Sequence, residues 1–90
     1  MQVELFGVAR LTAGVKQLTL EVDRPTSVRD VLARLAECCP LLVGSVLEQD
    51  AGALVSGYVF NRNGREFLSG VDALIQPGDQ LLLLSSAAGG

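Results

Sequence analysis

Residues 27–39, SVRDVLARLAECC, carry the clearest helix signal in this 90-residue chain and decide the fold. Ser27 is a good N-cap residue, with Thr26 as the alternative, and Asp30 adds an acidic side chain to the first turn. Pro40 disfavours helical backbone in the residue before it, so the helix is predicted to end there. The apolar residues recur at the spacing of one helix face: Val28, Val31, Leu32 and Leu35.

Alternation of polar and apolar residues predicts strands on both sides of this helix. Before it, residues 2–9 and 16–22 are predicted to form a hairpin joined by a turn at 11–14. After it, Asn63-Gly64 and the turn at 76–79 separate the remaining strands. Those strands are predicted at 57–61, 65–68 and 80–84. Residues 41–56 give the weakest signal, and a short helical turn is expected there.

The order of elements predicts an α+β fold: a mixed sheet with one helix packed across it. Ninety residues suffice for one domain and one core. We therefore expect a folded domain at residues 1–84. The remaining residues, 85–90, contain nothing large enough to bury, and we expect them to form a flexible C-terminal tail.

Composition and charge argue against several classes of function. Seven basic and ten acidic residues give a net charge of −3, and the basic residues are scattered, which argues against nucleic-acid binding. The longest aliphatic run is Leu81–Leu84, far below the about 20 residues of a spanning helix, so no membrane segment is expected. No secretion signal is recognisable, and we expect a cytoplasmic protein.

The chain contains few residues that could carry catalysis. It has no histidine, and its two cysteines are the neighbours Cys38 and Cys39. A zinc site of the common kind and a Ser-His or Cys-His pair are therefore not expected, and neither is a free-standing enzyme. We interpret the cysteines as small core or half-buried groups; a persulfide-carrying role is the alternative.

The last six residues, SSAAGG, are the most informative for function. A tail ending in Gly89-Gly90 has no bulk at its end, so it can enter a narrow channel and bring its carboxylate to a partner's active site. Adenylation would turn that carboxylate into a mixed anhydride that a persulfide, thiol or amine can attack. The alternative is an ordinary frayed terminus.

Several segments resemble the MoaD/ThiS family of ubiquitin-like β-grasp sulfur carriers, and the MoaD-type branch (the small subunit of molybdopterin synthase) in particular. These segments are MQVELF at 1–6, SVRDVL at 27–32, YVFN at 58–61, PGDQL at 77–81 and AGG at 88–90. The resemblance implies that an adenylating enzyme activates Gly90, beside Gly89, and that sulfur converts it to a thiocarboxylate. ATP and magnesium would bind to that enzyme, so no cofactor is expected on this chain.

The resemblance also implies a partner-binding surface on the sheet face away from the helix. Phe6, Val59 and Leu84 are expected there, with Leu82 nearby and Ala88 of the tail joining the contact. Strand alternation agrees, because the neighbours of these residues on each strand are predicted to face the core. The expected partners are a ubiquitin-activating-like adenylating enzyme and a sulfur-accepting synthase or target protein.

Two alternatives to a sulfur carrier remain open at this point. A ubiquitin-like modifier would join Gly90 to lysines of target proteins; with Lys16 as its one lysine, the chain would hardly polymerise extensively. A β-grasp interaction domain would bind partners with no covalent chemistry at all.

Overall fold

The computed structural model describes residues 1–85, which form a five-stranded mixed sheet, a small two-stranded sheet and two α-helices. The α+β class predicted from the sequence is confirmed. The elements in chain order are β1 (Gln2–Leu5), α1 (Gly7–Ala13), β2 (Gln17–Thr19), β3 (Thr26–Ser27), α2 (Val28–Cys38), a 3₁₀ turn (Pro40–Leu42), β4 (Tyr58–Arg62), β5 (Glu66–Leu68), β6 (Leu74–Ile75) and β7 (Gln80–Ser85).

Strand β7 is the centre of the larger sheet, whose order is β2-β1-β7-β4-β5. It runs parallel to β1 and antiparallel to β4, while β1 and β2 pair antiparallel, as do β4 and β5. The last strand of the described chain is therefore held by neighbours on both sides.

Helix α2 forms as the sequence predicts. The backbone N–H of Asp30 donates to Ser27 Oγ at 3.1 Å, so Ser27 is the N-cap. Its four periodic apolar residues are buried, and Pro40 follows its C-terminal end. These side chains join the inward residues of the central strands, among them Leu5, Phe60 and Leu83, in one hydrophobic core.

The two strands predicted at 2–9 and 16–22 do pair antiparallel, but helix α1, which was not predicted, replaces the end of the first strand and the expected turn. Regular strand pairing in β1 stops at Leu5, and residues 7–13 turn back as a helix before β2 begins at Gln17. The helix ends at Gly14, whose φ of 78° is left-handed and whose N–H donates to Arg10 O at 2.8 Å. It buries only Ala9, whereas its larger apolar residues Val8 and Leu11 are exposed, so its sequence shows no apolar stripe that faces the core.

Other strand boundaries also differ from the prediction. Strand β2 is three residues long, and the two-residue strands β3 and β6 pair with each other where none was predicted. The Asn63-Gly64 turn is confirmed, with φ of 58° and 71°. Strand β7 includes Ser85, paired with Tyr58, which had been assigned to the tail. The expected flexibility of residues 86–90 lies outside the described residues.

The segment at 41–56 is an irregular loop that contributes to the core. It opens with the 3₁₀ turn, in agreement with the expected short helical turn. Three of its side chains, those of Leu42, Val46 and Leu47, are fully buried. The sequence showed no such role because buried residues in an irregular loop follow no period.

Candidate functional site

Strand β7 presents two leucines to the core and two to the other face of the sheet. Leu81 and Leu83 are fully buried, whereas Leu82 and Leu84 are partly exposed. This alternation is the period of a strand. The face opposite α2, here called the outer face, therefore carries apolar side chains along the strand that leads to the C-terminus.

Phe6, Val59 and Leu84 meet on this outer face. Val59 pairs with Leu84 across β4 and β7. Phe6 follows β1 and its backbone N–H donates to the carbonyl oxygen of Leu83 at 3.2 Å, which places it beside Leu84. All three side chains are partly exposed. The strand register thus brings together the three residues that the sequence analysis placed on one surface.

Leu82 lies two residues before Leu84 on β7. It pairs with Glu4 of β1 on one side and with Asn61 of β4 on the other. Asn61 is paired in turn with Phe67 of β5, whose side chain is 67% exposed. An open depression of about 400 Å³ is lined by Val59, Phe67, Leu84 and Ser85.

Phe67 is therefore part of the candidate site, in addition to the residues predicted from the sequence. Alternation in β5 could have found it, because Leu68 next to it faces the core. The outer patch, as defined here, consists of Phe6, Val59, Phe67, Leu82 and Leu84. Charged groups lie at its border rather than within it.

Arg10 borders the outer patch on the side of helix α1. Its guanidinium carbon lies 5.4 Å from the centre of the Phe6 ring, and its Nε donates to Leu5 O at 2.9 Å. A cation over an aromatic ring is favourable by about 0.5–1 kcal/mol at exposed sites. Glu4 of β1, two residues before Phe6, accepts a hydrogen bond from Gln80 Nε2 at 3.0 Å. These contacts hold the border side chains in place.

A polar network fixes the turn that precedes β7. Asp79 accepts hydrogen bonds from Asn63 Nδ2 at 3.0 Å and from the backbone N–H of Gln76 at 2.9 Å. These two bonds, and to a lesser extent the nearby Arg62 guanidinium, lower the pKa of the Asp79 carboxyl, while burial acts in the opposite direction. Asn63 Oδ1 also accepts from the N–H of Gln80 at 2.8 Å. The start of β7 is thereby anchored to the β4–β5 hairpin.

The two cysteines lie at the end of α2, away from the outer patch. Both are free thiols; Cys38 is exposed and Cys39 is buried. Partial burial and the neighbouring Cys39 raise the pKa of Cys38, which keeps it protonated at neutral pH. This environment favours the structural interpretation over a persulfide-carrying role.

The remaining predicted site residues, Ala88, Gly89 and Gly90, lie outside the described residues. Within residues 1–85, no helix has the length and apolar character that crossing a membrane requires. The same part of the chain brings no three His, Cys, Asp or Glu side chains together as a metal site.

Solved structures of small archaeal modifier proteins are similar to this chain over nearly its whole length. The crystal structure of SAMP1 from Haloferax volcanii is 30% identical, with a TM-score of 0.79, over 99% of this chain and 97% of that one. A second crystal structure of H. volcanii small archaeal modifier protein 1 is 28% identical, with a TM-score of 0.75 and 91% of each chain covered.

The solution structure of small archaeal modifier protein 1 from Methanosarcina acetivorans is 27% identical, with a TM-score of 0.75, over 99% of this chain and 94% of that one. No family model and no curated protein matched the sequence. The identity and full coverage of the first structure, together with the shared fold, show the relationship. This chain belongs to the small archaeal modifier proteins, ubiquitin-like β-grasp proteins of the MoaD type.

Proposed function

We propose that this protein is a sulfur carrier that works as a co-substrate of partner enzymes. An adenylating enzyme joins the Gly90 carboxylate to AMP and releases pyrophosphate. Hydrosulfide then attacks the acyl carbon and AMP leaves with the electron pair of the broken C–O bond, which gives the thiocarboxylate directly. A persulfide donor would instead give an acyl disulfide, which a thiol reduces to the thiocarboxylate while it is itself oxidised to a disulfide. That thiocarboxylate donates sulfur in cofactor biosynthesis of the molybdopterin type or in thiolation.

The position of the outer patch beside the end of β7 carries this proposal. Ser85 is the last residue of the central strand, and Gly90 follows five residues later. Five residues span at most about 18 Å, at 3.3–3.6 Å each. A protein docked on the outer patch therefore needs its active site within that distance of Ser85 to receive the carboxylate.

The chemistry of the chain is consistent with this division of labour. It has no histidine, and within residues 1–85 its carboxyl and thiol groups do not gather into a cluster of three or more. Acid–base catalysis, ATP and magnesium are thus assigned to the adenylating enzyme. This chain contributes a recognition surface and a reactive end. We assign this cycle to the cytoplasm, where donor enzymes and ATP are available.

A protein modifier is the second candidate, and the names of the solved relatives favour it. The same acyl-adenylate can transfer Gly90 to a lysine amine and form an isopeptide bond. Lys16 is the only lysine of this chain and is exposed, at the start of the β2 edge. With one lysine available, extensive polymerisation of this chain would be hard, and single attachment to a target protein is the form of conjugation expected.

Removal of Gly90 separates these candidates from a non-covalent interaction domain. The full chain and the Gly90-deleted chain are incubated with the adenylating enzyme of the same organism, ATP and magnesium, and pyrophosphate is measured. We expect release only with the full chain, while both chains still bind the enzyme. Equal pyrophosphate release, or none with either chain despite binding, would contradict activation at Gly90.

Leu84→Asp tests the docking surface independently. A charge in the outer patch should weaken binding to the adenylating enzyme by more than about 1 kcal/mol, the level of an important interface residue. Gln17→Asp is a matched control, because Gln17 is exposed on the same face two strands away. Equal affinities of the two variants and the wild type would place docking elsewhere.

A further inference from the structure

Asn61 is a buried polar residue in the middle of the apolar outer patch. It lies on β4 between Leu82 of β7 and Phe67 of β5, and only 6% of it is exposed. Its neighbour Phe60 fills the core, so alternation directs the Asn61 side chain to the outer face. The outer patch is thus continuous across the sheet except for one amide.

The Asn61 Oδ1 atom is buried and has no hydrogen-bond partner among the described residues. Asn63, two residues later, has both amide atoms paired, with Asp79 and with the N–H of Gln80. Buried polar atoms without partners are uncommon and destabilising. A leucine at position 61 would fill the same space beside Leu82 and Phe67 without burying an unpaired oxygen. Packing of the free protein therefore gives no reason for an amide there.

One side chain beside Asn61 is easily displaced. Phe67 faces Asn61 directly, is mostly exposed, and belongs to a three-residue strand at the edge of the sheet. Exposed side chains change rotamer on the picosecond-to-nanosecond timescale. A protein that docks on the outer patch would contact the Phe67 ring, and a change of the Phe67 rotamer would expose the side of Asn61 that faces β5.

We propose that Asn61 Oδ1 accepts a hydrogen bond from an N–H group of the adenylating enzyme when that enzyme docks on the outer patch. This inference rests on the proposed function. The complementary surface is apolar and carries one donor opposite Asn61. Burial of an unpaired donor or acceptor is costly, so the pair would select against proteins that cover the patch with an apolar surface alone.

Asn61→Leu tests this role, with Gln17→Leu as the matched control. Gln17 lies on the same outer row but is exposed and two strands away from Leu82. We expect Asn61→Leu to keep or raise the melting temperature and to weaken binding to the adenylating enzyme about 3- to 10-fold, the range of one net hydrogen bond. Gln17→Leu should leave the affinity unchanged.

Unchanged affinity of Asn61→Leu, in a protein whose Leu84→Asp variant does lose binding, would overturn the role of Asn61 and leave the docking surface intact. If neither variant weakens binding to the adenylating enzyme, both the role of Asn61 and the docking surface are overturned. Failure to form the thiocarboxylate with normal docking would instead contradict only the sulfur chemistry of the proposed function.

A measurement on the wild-type protein covers the case in which Asn61→Leu does not fold. The side-chain amide and carbonyl-carbon NMR signals of Asn61 are followed while the adenylating enzyme is added. We expect these signals to shift as the hydrogen bond forms, while the side-chain signals of Gln17 stay in place. Unchanged Asn61 signals at saturation would overturn the proposal.

Discussion

Leu83 and Leu84 are neighbours in sequence that the structure assigns to opposite faces of β7, and their alanine variants should behave in opposite ways. Leu83 is fully buried and pairs with two other buried residues, Leu5 and Phe60. Leu→Ala at such sites costs about 2–5 kcal/mol, because lost transfer free energy is added to the cost of a cavity. Leu84 is partly exposed, so its variant should cost about 1 kcal/mol or less.

The difference is large enough to measure by thermal and urea unfolding followed by circular dichroism. At about 3 kcal/mol, Leu83→Ala should lower the melting temperature by roughly 12–24 °C, since 1 kcal/mol corresponds to about 4–8 °C in a domain of this size. The urea midpoint should fall with an unchanged m-value. A larger loss for Leu84→Ala than for Leu83→Ala would mean that the register of β7 is displaced by one residue.

Three further predictions concern the turns and the tail. Gly14→Ala should lower the free energy of unfolding by about 1 kcal/mol, because position 14 has a left-handed φ of 78°. Gly78 has neither a positive φ nor a close neighbour, so Gly78→Ala should change it little when both variants are compared by urea unfolding. Folding lowers the pKa of Asp79 below its ordinary 3.8, so its contribution to stability is fully present above that pH and is lost as the pH falls through the lower, folded-state pKa. Asp79→Asn should therefore flatten the pH dependence of the urea midpoint below pH 3.8, and an unchanged slope would contradict this. Gly89→Ala should slow adenylation more than Ala87→Gly, because a Cβ at the penultimate position obstructs a narrow channel; equal rates of pyrophosphate release would argue against such a channel.

The parts of the fold that the sequence predicted are those with strong local signals. Helix α2 has a cap at Ser27 and a complete apolar stripe, and both are determined within a dozen residues. The turn at Asn63-Gly64 is similarly local, since few other pairs adopt positive φ at both residues.

The missed parts depend on tertiary contacts instead. Helix α1 buries one residue, Ala9, so it has no apolar stripe that faces the core. Strands β3 and β6 have two residues each, which is too short for a detectable alternation. The candidate site shows the same limit. Alternation indicates that Leu84 faces outward. Only the pairing of Asn61 with both Leu82 and Phe67 places inside the outer patch an amide oxygen that has no partner within residues 1–85.

The intact mass of the protein after activation tests the central claim most directly. The chain is incubated with the adenylating enzyme of the same organism, magnesium-ATP and sulfide, with the Gly90-deleted chain in parallel. We predict that the full chain gains the mass of one oxygen-to-sulfur exchange, localised to Gly90 by fragmentation, and that the deleted chain gains nothing. An unchanged mass of the full chain, under conditions in which the enzyme consumes ATP on this protein, would contradict the sulfur-carrier account.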